Sequence, residues 1–294
     1  MNYEIISDGA CDLLDEYIEE NHIYKVPFYV TFDGITYSKE GIGITHDTFY
    51  EKMIQEHAIP KSSLPSIGDY IEVFEPLVKE NKPIICITIT SKFSGSFNSA
   101  STAAKQLSEQ YPSAQITIID STLNTMSQAL FVNEAVRMRN AGLSYQDTID
   151  NLERIKDTGR IYFTIGSMEY LVKNGRIGKL AVLAGDKLGI RPTIVMQHGD
   201  ITLGGISRSR KKSILSVLDC LKKYIDKEHI NINDYTFLAG YGYGKDEYEA
   251  FKKLLFEQLS IQSDETIQSR IGTTIGCHTG PYPLGVALLK KYDA

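Results

Sequence analysis

Ile84-Ile85-Cys86-Ile87-Thr88-Ile89-Thr90 runs straight into Ser91-Lys92-Phe93-Ser94-Gly95-Ser96-Phe97-Asn98-Ser99-Ala100. The first run is apolar and β-branched, as a strand buried on both faces requires. Past the turn, Ala100, Ala103, Ala104 and Leu107 recur at helical spacing. The serines therefore sit where a parallel strand ends and a helix begins. Free backbone N–H groups and the positive end of the helix dipole make such a junction attractive to anions. Hydroxyls rather than lysines surround it, which suits a small carboxylate or one phosphate better than a polyphosphate.

The alternation of strand and helix extends outward from this junction. Strands are expected at 3–7, 25–32, 84–90 and 115–120, and helices at 13–20, 48–56, 67–80, 96–110 and 128–140. A further helix, 145–156, has Ser144 as its N-cap. This pattern predicts a mostly parallel sheet flanked by helices. After Asp157-Thr158-Gly159 the pattern changes. A strand at 160–166 and a short helix at 167–173, stopped by Asn174-Gly175, precede a hairpin of 193–197 with 201–206. A long amphipathic helix at 211–227, a strand at 235–240, a helix at 247–259 and a strand at 267–274 complete the set. The expected fold class is α/β in two domains: an N-terminal α/β domain, 1–158, and a C-terminal α/β sandwich, 159–294.

Composition bounds the function. The 294 residues are 42% hydrophobic and 23% charged, as in ordinary globular proteins. A net charge of −6, from 31 basic and 37 acidic residues, argues against a general nucleic-acid or anionic-membrane surface. Cys11, Cys86, Cys220 and Cys277 are far apart and form no C-x-x-C pair, so reduced thiols are expected. No apolar run approaches the roughly 18 residues of a membrane span, and no basic, apolar leader opens the chain. A cytoplasmic protein without an integral membrane segment is expected.

Two more loops carry chemistry. Ser62-Ser63-Leu64-Pro65-Ser66 is hydroxyl-rich, although a helix start capped by Ser66 explains much of it. Gly276-Cys277-His278-Thr279-Gly280-Pro281-Tyr282-Pro283-Leu284-Gly285 wraps one histidine in glycines and prolines, the composition of a tight, shaped loop. Gly240-Tyr241-Gly242-Tyr243-Gly244-Lys245 is no P-loop: Asp246 stands where a magnesium-binding hydroxyl is needed, and Ala239 where the first glycine would fall. Arg208-Ser209-Arg210-Lys211-Lys212 places positive charge at a helix start, against the dipole, so an acidic partner or a phosphate is a candidate for it. The G-x-S-x-G elbow of serine hydrolases is absent around Ser94. A Ser94–His278 dyad stays open as the alternative, a serine-dependent acyl hydrolase or transferase, with no carboxylate to orient the histidine. A triose- or sugar-binding protein is a third reading.

The ordered set of motifs resembles the DegV family, the fatty-acid-binding proteins of bacterial fatty acid kinases. The resemblance takes in Ile5-Ile6-Ser7-Asp8, Val26-Pro27-Phe28, the loop 62–66, the turn 91–100, Asp120-Ser121, Asn174-Gly175-Arg176-Ile177, Arg208 and the loop 276–285. It implies two α/β domains with the head-group of one long-chain fatty acid bound between them. By motif match, the carboxylate-binding roles fall on Ser62, Ser94 and His278, with Ser63, Gly95, Ser96 and Thr279 in support. The resemblance further implies a partner, the ATP-binding fatty acid kinase subunit, which phosphorylates the bound acid. Arg176 and Arg208, with a protonated His278, are then the candidates for charge at that step. Neither a cofactor nor a metal is implied, and the chain itself is expected to bind rather than turn over. Where the family often has Asp-Ser-Thr, this chain has Asp8-Gly9-Ala10.

Overall fold

The computed structural model describes residues 3–183, 189–267 and 269–294. The chain opens with strand β1 (Glu4–Asp8), helix α1 (Asp15–Glu20) and strand β2 (Ile23–Val26). Strands β3 (Tyr29–Thr31) and β4 (Ser38–Lys39), helix α2 (His46–Gln55), strand β5 (Lys61–Ser63) and helix α3 (Ile67–Lys79) follow. Next come β6 (Ile84–Thr88), α4 (Ser96–Gln110), β7 (Ile116–Asp120), α5 (Thr125–Asn140) and α6 (Tyr145–Ile155).

Strands β2, β1, β6 and β7 lie side by side, all parallel. Every residue of β6 is buried, the reason its sequence is an unbroken apolar run. On one face α3 and α4 pack through Tyr70, Phe74, Leu77, Ala100, Ala103 and Leu107. The stretch 25–32, expected as one strand, is two. Pro27 has no N–H to give a ladder, and the chain leaves the parallel sheet there to build a small antiparallel sheet of β4, β3 and β5.

The second half contains β8 (Arg160–Thr164), α7 (Glu169–Lys173), β9 (Arg191–Gln197), β10 (Asp200–Ser207) and α8 (Arg210–Lys227). It ends with β11 (Tyr235–Tyr241), α9 (Lys245–Leu259), α10 (Thr273–Thr279) and β12 (Leu284–Lys290). Strands β10, β9, β8, β12 and β11 form one antiparallel sheet. The β9–β10 hairpin turns at His198 and Gly199, both with positive φ (50° and 74°), as a tight turn between twisted strands requires. Helices α8 and α9 cover one face through Val217, Leu218, Leu221, Phe251 and Leu255.

Two expectations fail in this half. The strand expected at 267–274 is absent: Ser269 makes only an isolated bridge to Leu13, Gln268 lies outside the described residues, and Thr273 begins a helix. Strand β12, central in its sheet, was not anticipated; its Gly285 packs so closely on β8 that a Cβ would stand 2.4 Å from the Tyr162 carbonyl oxygen.

Helix α5 joins the two sheets. All of its residues but Arg137 and Asn140 are buried. It packs on β1 on one side and on β8, β11 and β12 on the other. A continuous core passes through it, from Ile5 and Ile87 by way of Phe131 and Val132 to Ile161, Leu238 and Ala287. Two of its buried polar side chains are tied to other segments or to the helix itself: Glu134 accepts from Arg137 and from the Tyr292 N–H, and Asn133 accepts from the Tyr17 hydroxyl.

Candidate functional site

The turn 91–95 lies at the carboxyl end of β6, where open α/β sheets place their ligand crevices. Within it the N–H groups of Phe93 and Ser94 donate to the Thr90 carbonyl, and the Ser91 N–H donates to Asp120. The Ser94 hydroxyl accepts the N–H of Ser96 at 3.2 Å. A hydroxyl accepts and donates at once, so the Ser94 proton stays available to a ligand. Ser96 faces the opposite way. It is fully buried, donating to Asp8 at 2.7 Å and meeting the Tyr70 hydroxyl at 2.6 Å, and it supports the turn from beneath instead of lining the cavity.

Ser62 and Ser63, expected in a loop, lie on β5, paired in register with Val30 and Tyr29 of β3. Ser66 is the N-cap expected, in a capping box with Asp69. Ser62 Oγ lies 3.0 Å from His278 Nε2. His278 rides on α10 and not on a loop. Burial, and secondarily the positive charge of Arg176, push its pKa down to about 4. Both effects favour the neutral imidazole, against the protonated His278 expected from the sequence. The hydrogen bond that a Ser94–His278 dyad would need goes to Ser62 instead. Nδ1 of His278 is buried without a partner among the described residues.

What holds α10 in place lies far off in sequence. Glu40, buried just past β4, accepts from the Thr273 hydroxyl at 2.9 Å, the Thr274 N–H at 3.0 Å and the Thr274 hydroxyl at 2.9 Å. Asp12 Oδ1 and Glu40 Oε1 lie 2.5 and 2.6 Å from where a Cβ on Gly272 would stand, so the two carboxylates are at most about 5 Å apart. Burial, then the neighbouring charge of Glu40, push the Asp12 pKa well up. A Cβ at Gly9 would stand 2.9 Å from Glu40 Oε2; the glycine that departs from the family pattern makes room for this carboxylate.

These segments enclose a cavity of about 860 Å³, open mouth included, lined by Ser62, Ser63, Ser94, Gly95, Arg176, His278 and Thr279 together with Phe28, Leu64, Ile89, Phe93, Phe163, Leu171 and Ile275. The enclosed part of it is about 190 Å³. These polar groups come from four separate segments and the remaining lining is largely apolar. A smaller cavity, of about 30 Å³, shares Asn124, Phe163, Ile275 and Thr279 as a common wall and lies among Met126, Ile161, Pro283 and Leu284. Arg176 is exposed at the rim, donating to the Phe93 carbonyl of the serine turn at 2.9 Å and to the Asn174 carbonyl at 3.0 Å. Arg208 does not line the cavity; it is exposed beyond the end of β10. Within the same basic run, Arg210 forms a bidentate pair with Glu247, which accounts for one positive charge at that helix start.

Asn124 was not anticipated. It lines both cavities, its Oδ1 is buried without a partner among the described residues, and it makes no side-chain cap to α5. Thr122 and Thr125 flank it with positive φ, 57° and 41°, a strained setting for β-branched residues. The available signal was position: a polar cluster just past the end of a parallel strand.

The sequence matches the profile described as "Uncharacterised protein, DegV family" over residues 2–291. Among solved structures, a fatty acid (stearic acid)-binding protein from Eubacterium ventriosum is similar at TM-score 0.95 and 44% identity, over 99% of each chain. A DegV family protein from Thermus thermophilus, described by its fatty acid binding, shares the fold at TM-score 0.86 and 23% identity, over 99% of this chain and 100% of that one. A DegV domain-containing protein of Deinococcus radiodurans is 27% identical over 288 residues, 98% of both.

Proposed function

This chain belongs to the DegV family, and from that premise we propose that its cavity binds one long-chain fatty acid and presents the carboxylate to a separate ATP-dependent kinase subunit for acyl-phosphate formation. The observation that carries the reading is that Ser62, Ser94 and His278, with Ser62 and His278 within 3.0 Å of each other, line one cavity whose remaining lining is mostly apolar. The Eubacterium ventriosum protein, a stearic-acid binder at 44% identity, supports it.

Burying a carboxylate costs several kcal/mol unless its oxygens are hydrogen-bonded. A neutral His278 donating Nε2–H to Ser62 leaves the Ser62 proton free for one carboxylate oxygen, and the Ser94 proton serves the other. The tail supplies the affinity: at about 0.8 kcal/mol per CH₂, a C16 chain contributes roughly 11 kcal/mol before ordering costs. The smaller cavity beyond Phe163 and Ile275 extends the apolar path for it. In this reading the head-group lies between two parts of the chain, 1–158 and 159–294. Positive charge for phosphoryl transfer comes from Arg176 at the rim and from Arg208, which meets the kinase subunit. Such a step needs chiefly positioning and charge, and the chain supplies no turnover alone.

Extraction of the purified protein and mass spectrometry of the extract test the first part, with a bound C14–C20 acid expected. Finding no fatty acid, together with no uptake of palmitate or oleate, would sink it. Labelling of Ser94 by a fluorophosphonate would favour the hydrolase reading instead.

A further inference from the structure

Asp8 ends β1, is fully buried and does not line the cavity. Its Oδ2 accepts the Ile89 N–H at 2.9 Å and the Ser96 hydroxyl at 2.7 Å, and its Oδ1 accepts from Gln128 Nε2 at 2.9 Å. The Ala10 N–H also reaches it. Tyr70, at 2.6 Å from Ser96, backs that hydroxyl from α3.

The two donors on Oδ2 stand on either side of the serine turn. Ile89 directly follows the last residue of β6 before it, and Ser96 is the first residue of α4 after it. The turn between them, Ser94 included, is thus tied at both ends to one carboxylate, in addition to the Ser91 N–H bond to Asp120. A carboxylate can serve all of these donors because both its oxygens only accept. An amide of the same shape has one acceptor oxygen and would turn its NH₂ toward a donor. Burial pushes the Asp8 pKa up to about 6 and the hydrogen bonds hold it down.

We propose that Asp8 is a positioning residue of the head-group site: its carboxylate ties both ends of the turn that presents the Ser94 hydroxyl. The inference rests on the fatty-acid reading only for the choice of probes.

The test compares palmitate with 1-hexadecanol, which has the same tail and no carboxylate, on the full chain and on Asp8→Asn. Palmitate binding is expected to weaken about tenfold, as for loss of a hydrogen bond to a charged group, with 1-hexadecanol binding within about twofold of the parent. Equal weakening of both probes, or of neither, overturns the proposal. Ser96→Ala removes one tie, and its effect on palmitate should shrink in the double variant; full additivity counts against a shared role. Should Asp8→Asn fail to fold, Ser96→Ala alone decides by the same palmitate-selective loss. If the parent protein binds neither probe, the fatty-acid reading fails, and amide exchange decides for Asp8. Faster exchange confined to residues 91–95 in Asp8→Asn upholds the proposal, and unchanged exchange there overturns it.

Discussion

The serine turn and helix α10 face one cavity, yet they are supported in opposite ways. The turn is held by what adjoins it: the end of β6, the start of α4 and one carboxylate from the neighbouring strand. Helix α10 is seven residues long and is fastened by Glu40, more than 230 positions away in sequence. A helix so short does not hold itself together in water. Local structure makes the first half of the clasp, and tertiary structure makes the second.

If that contrast is right, the largest effect should come from cutting the remote fastening. Glu40→Ala leaves three donors at the start of α10 without an acceptor and should cost about 3 kcal/mol or more, read from urea midpoints at unchanged m. A loss below about 1 kcal/mol would mean that α10 has other support. Next is Ser94→Ala, which touches the locally built side. It should leave stability within about 0.5 kcal/mol of the parent while weakening fatty acid binding about tenfold, measured by titration. A large stability loss would show that the turn depends on that hydroxyl.

The pH response of His278 sharpens the comparison further. Its folded pKa of about 4 lies below the ordinary 6.5, so between these values the unfolded chain binds the extra proton. Its contribution to stability is therefore complete above pH 6.5 and is lost as pH falls toward 4. Asp8, raised to about 6, pulls the opposite way in part of that window. The stability difference between the parent and His278→Gln isolates the histidine and should rise with pH from 4 to 6.5. A flat difference would place the ring in water. Smallest is Arg208→Ala, which should change fatty acid binding less than twofold, an ordinary result for an exposed residue, while lowering acyl-phosphate formation with the kinase subunit. A defect in binding alone would remove Arg208 from that step.

The same division explains what could be read from the sequence. Helix α4 begins and ends where spacing placed it, because its signals, a serine-rich turn and an alanine face, are carried on the segment itself. The caps at Ser66 and Ser144 were legible for the same reason. Ile271-Gly272-Thr273-Thr274 resembles strand by propensity; it becomes a helix start because a distant carboxylate meets its hydroxyls and N–H. Ser62 and His278 could be nominated from residue type, but their hydrogen bond joins β5 to α10 across more than two hundred residues. That Ser96 points inward to Asp8 was not legible, because a serine in a turn gives no sign of which way it points.

Helix α5 has a consequence for how this molecule comes apart. Since both sheets bury their inner faces against the same helix, neither can melt while the other stays native without exposing it. Thermal unfolding should show one transition, with the α5 amides among the last to exchange.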